Sequence, residues 1–339
     1  MSSKEKILKY LSKHQTVSGQ ELSSYLGVSR QAVNKHLKQL IQKGEVTKEG
    51  STKGATYKLR RKRGKEKSAR KFEKTYNLEN LEEDSVFKEM KIFLHLDREL
   101  NSYALEIVRY SFTEILNNAI EHSLSAQCSV RGGFDSYNFY FRIRDFGIGV
   151  FYSIFNKLDL TNENAAVGEL IKGKTTTMAE KHTGEGIFFT SKAADRLSLR
   201  SHKTDLFFDN LNDDVFIEEK RYLKGTDIFF NISKRSKRKL DKVFEDYASE
   251  EFDYRFERTR VQVKLFQKQY ISRSEAKRLV HGLDKFAEVI LDFNGVKVIG
   301  QGFADEIFRV FKQEHPNIII KTDNVSPALE PMIRHVVVN

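Results

Sequence analysis

Glu114 and Asn118 stand four residues apart in the run Phe112-Thr113-Glu114-Ile115-Leu116-Asn117-Asn118-Ala119-Ile120-Glu121-His122-Ser123. Read as a helix, this run gathers Phe112, Ile115, Leu116, Ala119 and Ile120 on one apolar face and sets Glu114 beside Asn118 on its flank. A carboxylate that can hold a water, next to an amide oxygen that can ligate a hard cation, suits magnesium–nucleotide chemistry, because Mg²⁺ takes oxygen ligands and keeps several waters. Any amphipathic helix can carry Glu and Asn on its wet edge, so the pair gains meaning from three later stretches. Asp145-Phe146-Gly147-Ile148-Gly149 follows a run in which Tyr137, Phe139, Phe141 and Ile143 alternate with Asn138, Tyr140, Arg142 and Arg144, a strand pattern. A carboxylate at a strand end can accept an adenine amino proton while the glycines after it turn the backbone tightly beside the base. Thr183-Gly184-Glu185-Gly186 opens a helical run, Ile187 to Arg196, where backbone N–H groups can face phosphate oxygens. Gly225-Thr226 begins a strand, Asp227 to Ile232. A lone Gly-x-Gly is mostly a turn; the ordered set is specific.

The segment between the glycine motifs, Val150 to His182, reads as a lid. Its Lys172-Gly173-Lys174-Thr175-Thr176-Thr177 is not a P-loop, because the spacing GxxxxGK[ST] fails. Lys172, Lys174 and Thr175 could reach the β- and γ-phosphates of a nucleotide when the lid closes; the alternative is a basic surface loop. His182 could contact phosphate or merely fill the loop.

The set resembles the GHKL ATPase (Bergerat-type) fold shared by gyrase B, mismatch-repair ATPases, sensor histidine kinases and anti-sigma serine kinases. Glu114 and Asn118 look like its N box. Asp145, Gly147 and Gly149 look like the first glycine box, Thr183, Gly184 and Gly186 like the second, and Thr226 like the last threonine. The resemblance implies ATP in a side pocket of a mixed sheet, Mg²⁺ on Asn118, adenine on Asp145 and Glu114 as the general base.

The elements around this region need more than one domain. A chain of 339 residues suggests two or three, and 39% hydrophobic residues supply ordinary cores. The single cysteine, Cys128, excludes an intramolecular disulfide and fits a reducing compartment. No run approaches a membrane span, and Met1 to His14 mixes charge with helical apolar spacing, so a cytoplasmic protein without membrane contact is expected. The net charge of +11 is uneven: residues 1–71 hold 19 Lys/Arg against 5 Asp/Glu, and the rest hold 39 against 42. That asymmetry points to a polyanion partner for one end.

Residues 4 to about 59 read as three helices and a hairpin. Ile7, Leu8 and Leu11 mark the first helix. Ser18 caps the second, Gly27 turns the chain, and Ser29 caps the third, Arg30 to Lys43. Strands Val46–Lys48 and Thr56–Leu59 follow. This resembles a winged helix-turn-helix domain, which implies double-stranded DNA as partner. Arg30, Gln31, Asn34, Lys35 and Lys38 would enter the major groove, with Lys48, Lys53 and Lys58 on backbone. A wing used for protein contacts is the alternative. Arg60 to Lys71 reads as a basic tether.

Phe72 to Leu100 reads as helical, Tyr103 to Ser123 as the long helix, Leu197 to Ile232 as several strands and Ser236 to Glu251 as a charged helix. His95 lies among packing residues and forms no phosphoacceptor box. Val261, Val263 and Leu265 alternate as a strand. Helix Ser272–Phe286, strand Glu288–Phe293, helix Gly302–Gln313, strand Ile318–Lys321 and helix Ser326–Val336 then alternate, which means a small α/β domain. It resembles the STAS-like fold of anti-sigma antagonists, but Gly302 stands near the place of their phosphorylated serine. The whole chain is similar to a bacterial family that joins a GHKL ATPase to a STAS-like domain, some members with a winged helix in front.

The expected fold is therefore multidomain α/β. A winged helix-turn-helix occupies 1–60, a basic linker 61–71, a GHKL α/β sandwich 72–250 and a STAS-like α/β domain 251–339. The expected function is an ATP-gated, ATP-hydrolysing DNA-binding regulator with ATP and Mg²⁺ as cofactors; a homodimer, and a protein partner for the STAS-like domain, are left open. A serine/threonine kinase of the anti-sigma type acting on a partner, and a scaffold that ATP only stabilises, are the alternatives.

Overall fold

The computed structural model describes residues 3–13, 17–42, 45–49, 55–59, 70–160, 162–174, 185–253, 255–265 and 270–338. The chain divides into two units, Met1–Ser68 and Ala69–Asn339. Lys53, Thr175, His182, Thr183, Gly184 and most of the basic tether lie outside the described residues.

In the first unit, helices Ser3–Lys13, Gly19–Leu26 and Arg30–Gln42 pack on a small antiparallel sheet. The Ser18 hydroxyl accepts from the Glu21 N–H while Glu21 accepts from the Ser18 N–H, a reciprocal cap that fixes the second helix start. Gly27 ends that helix at φ +65°. Strands Val46–Glu49 and Thr56–Leu59 form the expected hairpin, and Val17–Ser18 adds to Thr56–Tyr57. Ile7, Leu22, Val33, Leu37 and Leu40 close the core beneath them.

In the second unit, five strands lie in the order Phe72–Asn77, Gln127–Phe134, Asn138–Asp145, Asp214–Ser233, Arg196–Asp209 among the described residues. Every pairing is antiparallel, so the expectation of a mixed sheet is corrected. One face carries Phe139, Phe141 and Ile143 into the core, and the other carries Arg142 and Arg144, as suits a sheet wetted on one side. The long helix, Ser102–His122, covers the apolar face. The Asn101 side chain caps it, and Phe112 meets Phe141 and Phe87 at ring distances of 5.3 and 5.5 Å.

Phe72 to Leu100 is not helical throughout: Phe72–Asn77 is an edge strand, and helices Glu83–Leu94 and Leu96–Glu99 follow. His95 is exposed at a left-handed helix end and contacts Arg70 rather than a core. The charged run after Ser236 forms only the short helix Leu240–Glu245 and a 3₁₀ turn at Glu250–Phe252.

The last part holds three parallel strands, with Glu288–Asp292 between Arg258–Gln262 and Ile319–Asp323. Val263 and Leu265 lie in a 3₁₀ turn after the first strand, so the strand stops sooner than their alternation suggests. Helix Arg273–Val280 starts at a second reciprocal cap, between Ser272 and Glu275. The helical stretch from Gln301 to Glu314 widens to a π-turn at Glu306–Phe311, and Glu330–Val338 closes the chain. Phe188 and Phe189 belong to the core of this last part although they come from helix Gly186–Ala193.

Candidate functional site

A cavity of about 370 Å³ opens between the long helix, the sheet and helix Gly186–Ala193. Glu114, Asn118, Asp145, Gly149, Gly186 and Thr226 all line it, so the structure brings together the residues that the motifs singled out. The long helix supplies one wall by its spacing: Tyr110, Glu114, Asn118 and Glu121 lie on one flank while Phe112, Ile115 and Leu116 face the sheet.

Asp145 is buried because it is the next inward position after Phe139, Phe141 and Ile143 on its strand. Its Oδ1 accepts from the backbone N–H groups of Gly147 at 3.0 Å and Thr226 at 3.2 Å. Burial pushes its carboxyl above the ordinary range, and those donors pull the other way. The Asp145 side chain is thereby fixed in place on the cavity wall. The Thr226 hydroxyl accepts from the Val150 N–H at 3.0 Å, tying the Gly-Thr strand to the start of helix Val150–Lys157. Gly147 is required by contact: a Cβ there would stand 1.7 Å from the Ser123 carbonyl oxygen. Cys128 pairs opposite Asp145 in the strand register, and burial followed by the Asp145 charge pushes its thiol up to about 12.

The Asn118 amide nitrogen donates to the Glu114 carbonyl at 2.8 Å, one turn back. The planar amide then directs its oxygen away from the helix backbone, the orientation a cation ligand needs. Gly186 lies against Glu114: a Cβ there would stand 1.9 Å from Glu114 Oε2. The first turn of helix Gly186–Ala193 thus meets the carboxylate directly. Tyr110 also lines the cavity, and burial, then the charges of Glu114 and Glu185, raise its phenol. The sequence motifs do not single out Tyr110 or Glu185 as site residues. An aromatic one turn before Glu114 reads as core, but its spacing of four from Glu114 was the available signal.

Lys172 and Lys174 do not line the cavity in this arrangement of the chain. Lys172 is 1% exposed; its ammonium donates to Glu169 at 2.8 Å and to the His281 carbonyl at 2.6 Å. Lys174 donates to the Lys285 carbonyl at 2.9 Å and pairs with Glu257 at 3.0 Å. Both lysines therefore hold helix Glu163–Lys172 and the turn after it to the C-terminal part. A salt-bridged, buried ammonium is not available to phosphate unless this junction opens.

In the first unit, Gln31, Asn34, Lys35 and Lys38 are exposed on the third helix, and Lys48 is exposed on the hairpin. Lys58 is half-buried. Arg30 begins the third helix, and its side chain lies outside the description.

Residues 3–55 match a family model described as an HTH domain, and residues 275–330 match one described as a STAS-like domain of unknown function (DUF4325). No curated protein matches the chain. The chain thus carries an N-terminal HTH domain and a C-terminal STAS-like domain. Among the described residues no helix is long and apolar enough to cross a membrane.

Proposed function

We propose that the chain is a DNA-binding regulator in which Mg-ATP, held at a GHKL-type site in the middle region and hydrolysed there, gates the HTH domain. The observation that carries this reading is the convergence of Glu114, Asn118, Asp145, Gly149, Gly186 and Thr226 on one cavity from four separate stretches of chain. A cavity of about 370 Å³ lies in the size range of small-ligand sites. The oxygen donors fit a hard cation, which would neutralise charge on the phosphates. Asn118 would supply the protein ligand, and Asp145 would receive the adenine amino group. Glu114 would take the proton of a water as its oxygen bonds to the γ-phosphorus and the bond to ADP breaks. The HTH domain and the strongly basic first 71 residues support double-stranded DNA as partner.

The test follows the γ-phosphate of labelled Mg-ATP on the purified chain, with and without DNA. Free phosphate that disappears in Glu114→Ala while ATP still binds supports the reading, and Asn118→Ala should lose Mg-ATP binding. Equal turnover by wild type and Glu114→Ala removes Glu114 as base. Label retained on protein would instead favour a kinase acting on a partner. The STAS-like domain itself offers no hydroxyl at Gln301-Gly302-Phe303-Ala304, the start of its helix.

A further inference from the structure

A second cavity, of about 440 Å³, lies on the other side of the helices that wall the first. Ile171 of helix Glu163–Lys172, Lys192 of helix Gly186–Ala193 and Val243 of helix Leu240–Glu245 line it, while Leu170, Gly186 and Phe244 of the same helices line the first cavity. Its floor is the end of the parallel strand Arg258–Gln262. The carboxyl ends of parallel strands are a general location for ligands in open α/β sheets.

The charges around this cavity are only partly spoken for. Arg238 pairs with Asp195 at 3.0 Å, Arg260 with Asp292 at 3.0 Å and Asp323 at 2.6 Å, and Lys242 with Glu245. On the acidic side, Asp214 is held by Lys264 at 2.5 Å, and Asp213 and Asp246 also line the wall. Lys192, Lys237 and Lys239 have no carboxylate partner among the described residues. Lys192 is partly buried between the rings of Phe188 at 5.1 Å and Tyr247 at 5.8 Å, and no hydrogen-bond acceptor serves its ammonium among the described residues. Burial lowers its pKa to about 8, with Arg260 adding to the shift and Asp213 and Asp292 opposing it. Gln262, 8% exposed, leaves its amide oxygen unpartnered in the same wall. Buried polar groups ordinarily find partners, so the open Gln262 amide oxygen, with the partly exposed Lys192 ammonium on the same cavity, marks a place where a ligand can supply them. The amide can present its oxygen or, turned over, its N–H₂.

We propose that this second cavity binds a small ligand bearing a phosphate-type anion, with Lys192 as the central cation, Lys237 and Lys239 at the mouth and Gln262 reading a polar group of the ligand. The binding claim stands independently of the nucleotide reading for the first cavity.

The test titrates pyrophosphate into the full chain by calorimetry at fixed salt. Four proteins are compared: wild type, Lys192→Met, the double variant Lys237→Gln/Lys239→Gln, and Asn118→Ala. Charge-assisted hydrogen bonds predict roughly tenfold weaker binding in Lys192→Met and in the double variant. Asn118→Ala, which alters only the first cavity, should bind like wild type. Lys237 and Lys239 are exposed, so the double variant keeps the test open if Lys192→Met fails to fold. Wild-type affinity in the double variant and in a folded Lys192→Met overturns the proposal. So does loss in Asn118→Ala alone, which would put pyrophosphate in the first cavity, and so does the absence of any wild-type binding at millimolar pyrophosphate.

Discussion

Lys172→Met removes an ammonium that is 1% exposed, and it leaves Glu169, 5% exposed, short of its nearest cation. Truncating one member of a buried pair costs about 3–5 kcal/mol. Glu169 keeps Lys285 at 3.6 Å and His281 at 3.3 Å, so the expected loss sits at the lower end, about 3 kcal/mol. For a unit of this size that corresponds to a fall in Tm of roughly 6–12 °C. Glu169→Leu on top of Lys172→Met removes the stranded charge and should recover the protein to within about 2 kcal/mol of wild type. The assay is thermal unfolding by far-UV circular dichroism, since the chain has no Trp. A second readout comes from pH. Burial works against the Glu169 charge, but the Lys172 ammonium and the neighbours beyond it hold its carboxyl below the usual range. A depressed carboxyl contributes stability that is present above its unfolded pKa and is lost as pH falls through the folded one. The gap between wild type and Lys172→Met should therefore close on acidification below the ordinary glutamate range. A single variant that melts with wild type, with no pH-dependent gap, would refute the buried junction.

Asp145 has the opposite sign. Its carboxyl is raised by burial, so its ionisation costs stability progressively as pH rises through the folded pKa, and Asp145→Asn should raise Tm at neutral pH while weakening ATP binding; a lower Tm at neutral pH refutes the burial argument. Cys128, with its thiol pushed up to about 12, should resist alkylation at pH 8 until the chain unfolds, which mass spectrometry reads directly. Lys35→Gln and Lys38→Gln should each flatten the salt dependence of DNA affinity by about one unit of slope, measured by fluorescence anisotropy over a salt series. An unchanged slope would take the third helix off the phosphates.

The residues legible in the sequence are those whose spacing is tied to local geometry. Glu114 and Asn118 share a helix flank whatever surrounds them, and Asp145 continues the inward alternation of Phe139, Phe141 and Ile143. Phe72–Asn77 was harder, because an edge strand with Phe72 as its buried residue offers little alternation and follows a basic run. The i,i+3 spacing of Glu169 and Lys172 is plain in sequence, but the carbonyl of His281 that completes the pairing lies more than a hundred residues away. Nothing local separates such a lysine from a phosphate-binding one. The short helix Leu240–Glu245 fails for a related reason: charge along a run says which residues can face water, not where the helix stops.

Helix Gly186–Ala193 sets the condition that any gating must meet. Its first residue lies against Glu114, while Phe188 and Phe189, each 2% exposed, are packed among Tyr247, Phe256 and Phe244. Burying two such rings stabilises by about 3–6 kcal/mol in sum. A nucleotide that shifted Gly186 alone, dragging the rings out of that core, would need a differential affinity between the two states of at least that size, a factor of about 10² to 10⁴. The less costly motion keeps the rings packed, so that this helix and the C-terminal part move together. The Lys172 junction then either travels with them or opens. Coupling of this kind is reciprocal: whatever binds the STAS-like domain and favours one position of the helix must change ATP affinity by the same factor that ATP changes its own. Phe189→Ala loosens the shared packing and trims an apolar part of the cavity wall, but it leaves the side chains of Glu114 and Asn118 in place. It should therefore reduce the effect of ATP on DNA affinity while leaving an ATP site that still hydrolyses, and an undiminished ATP effect in a folded Phe189→Ala would place the coupling elsewhere.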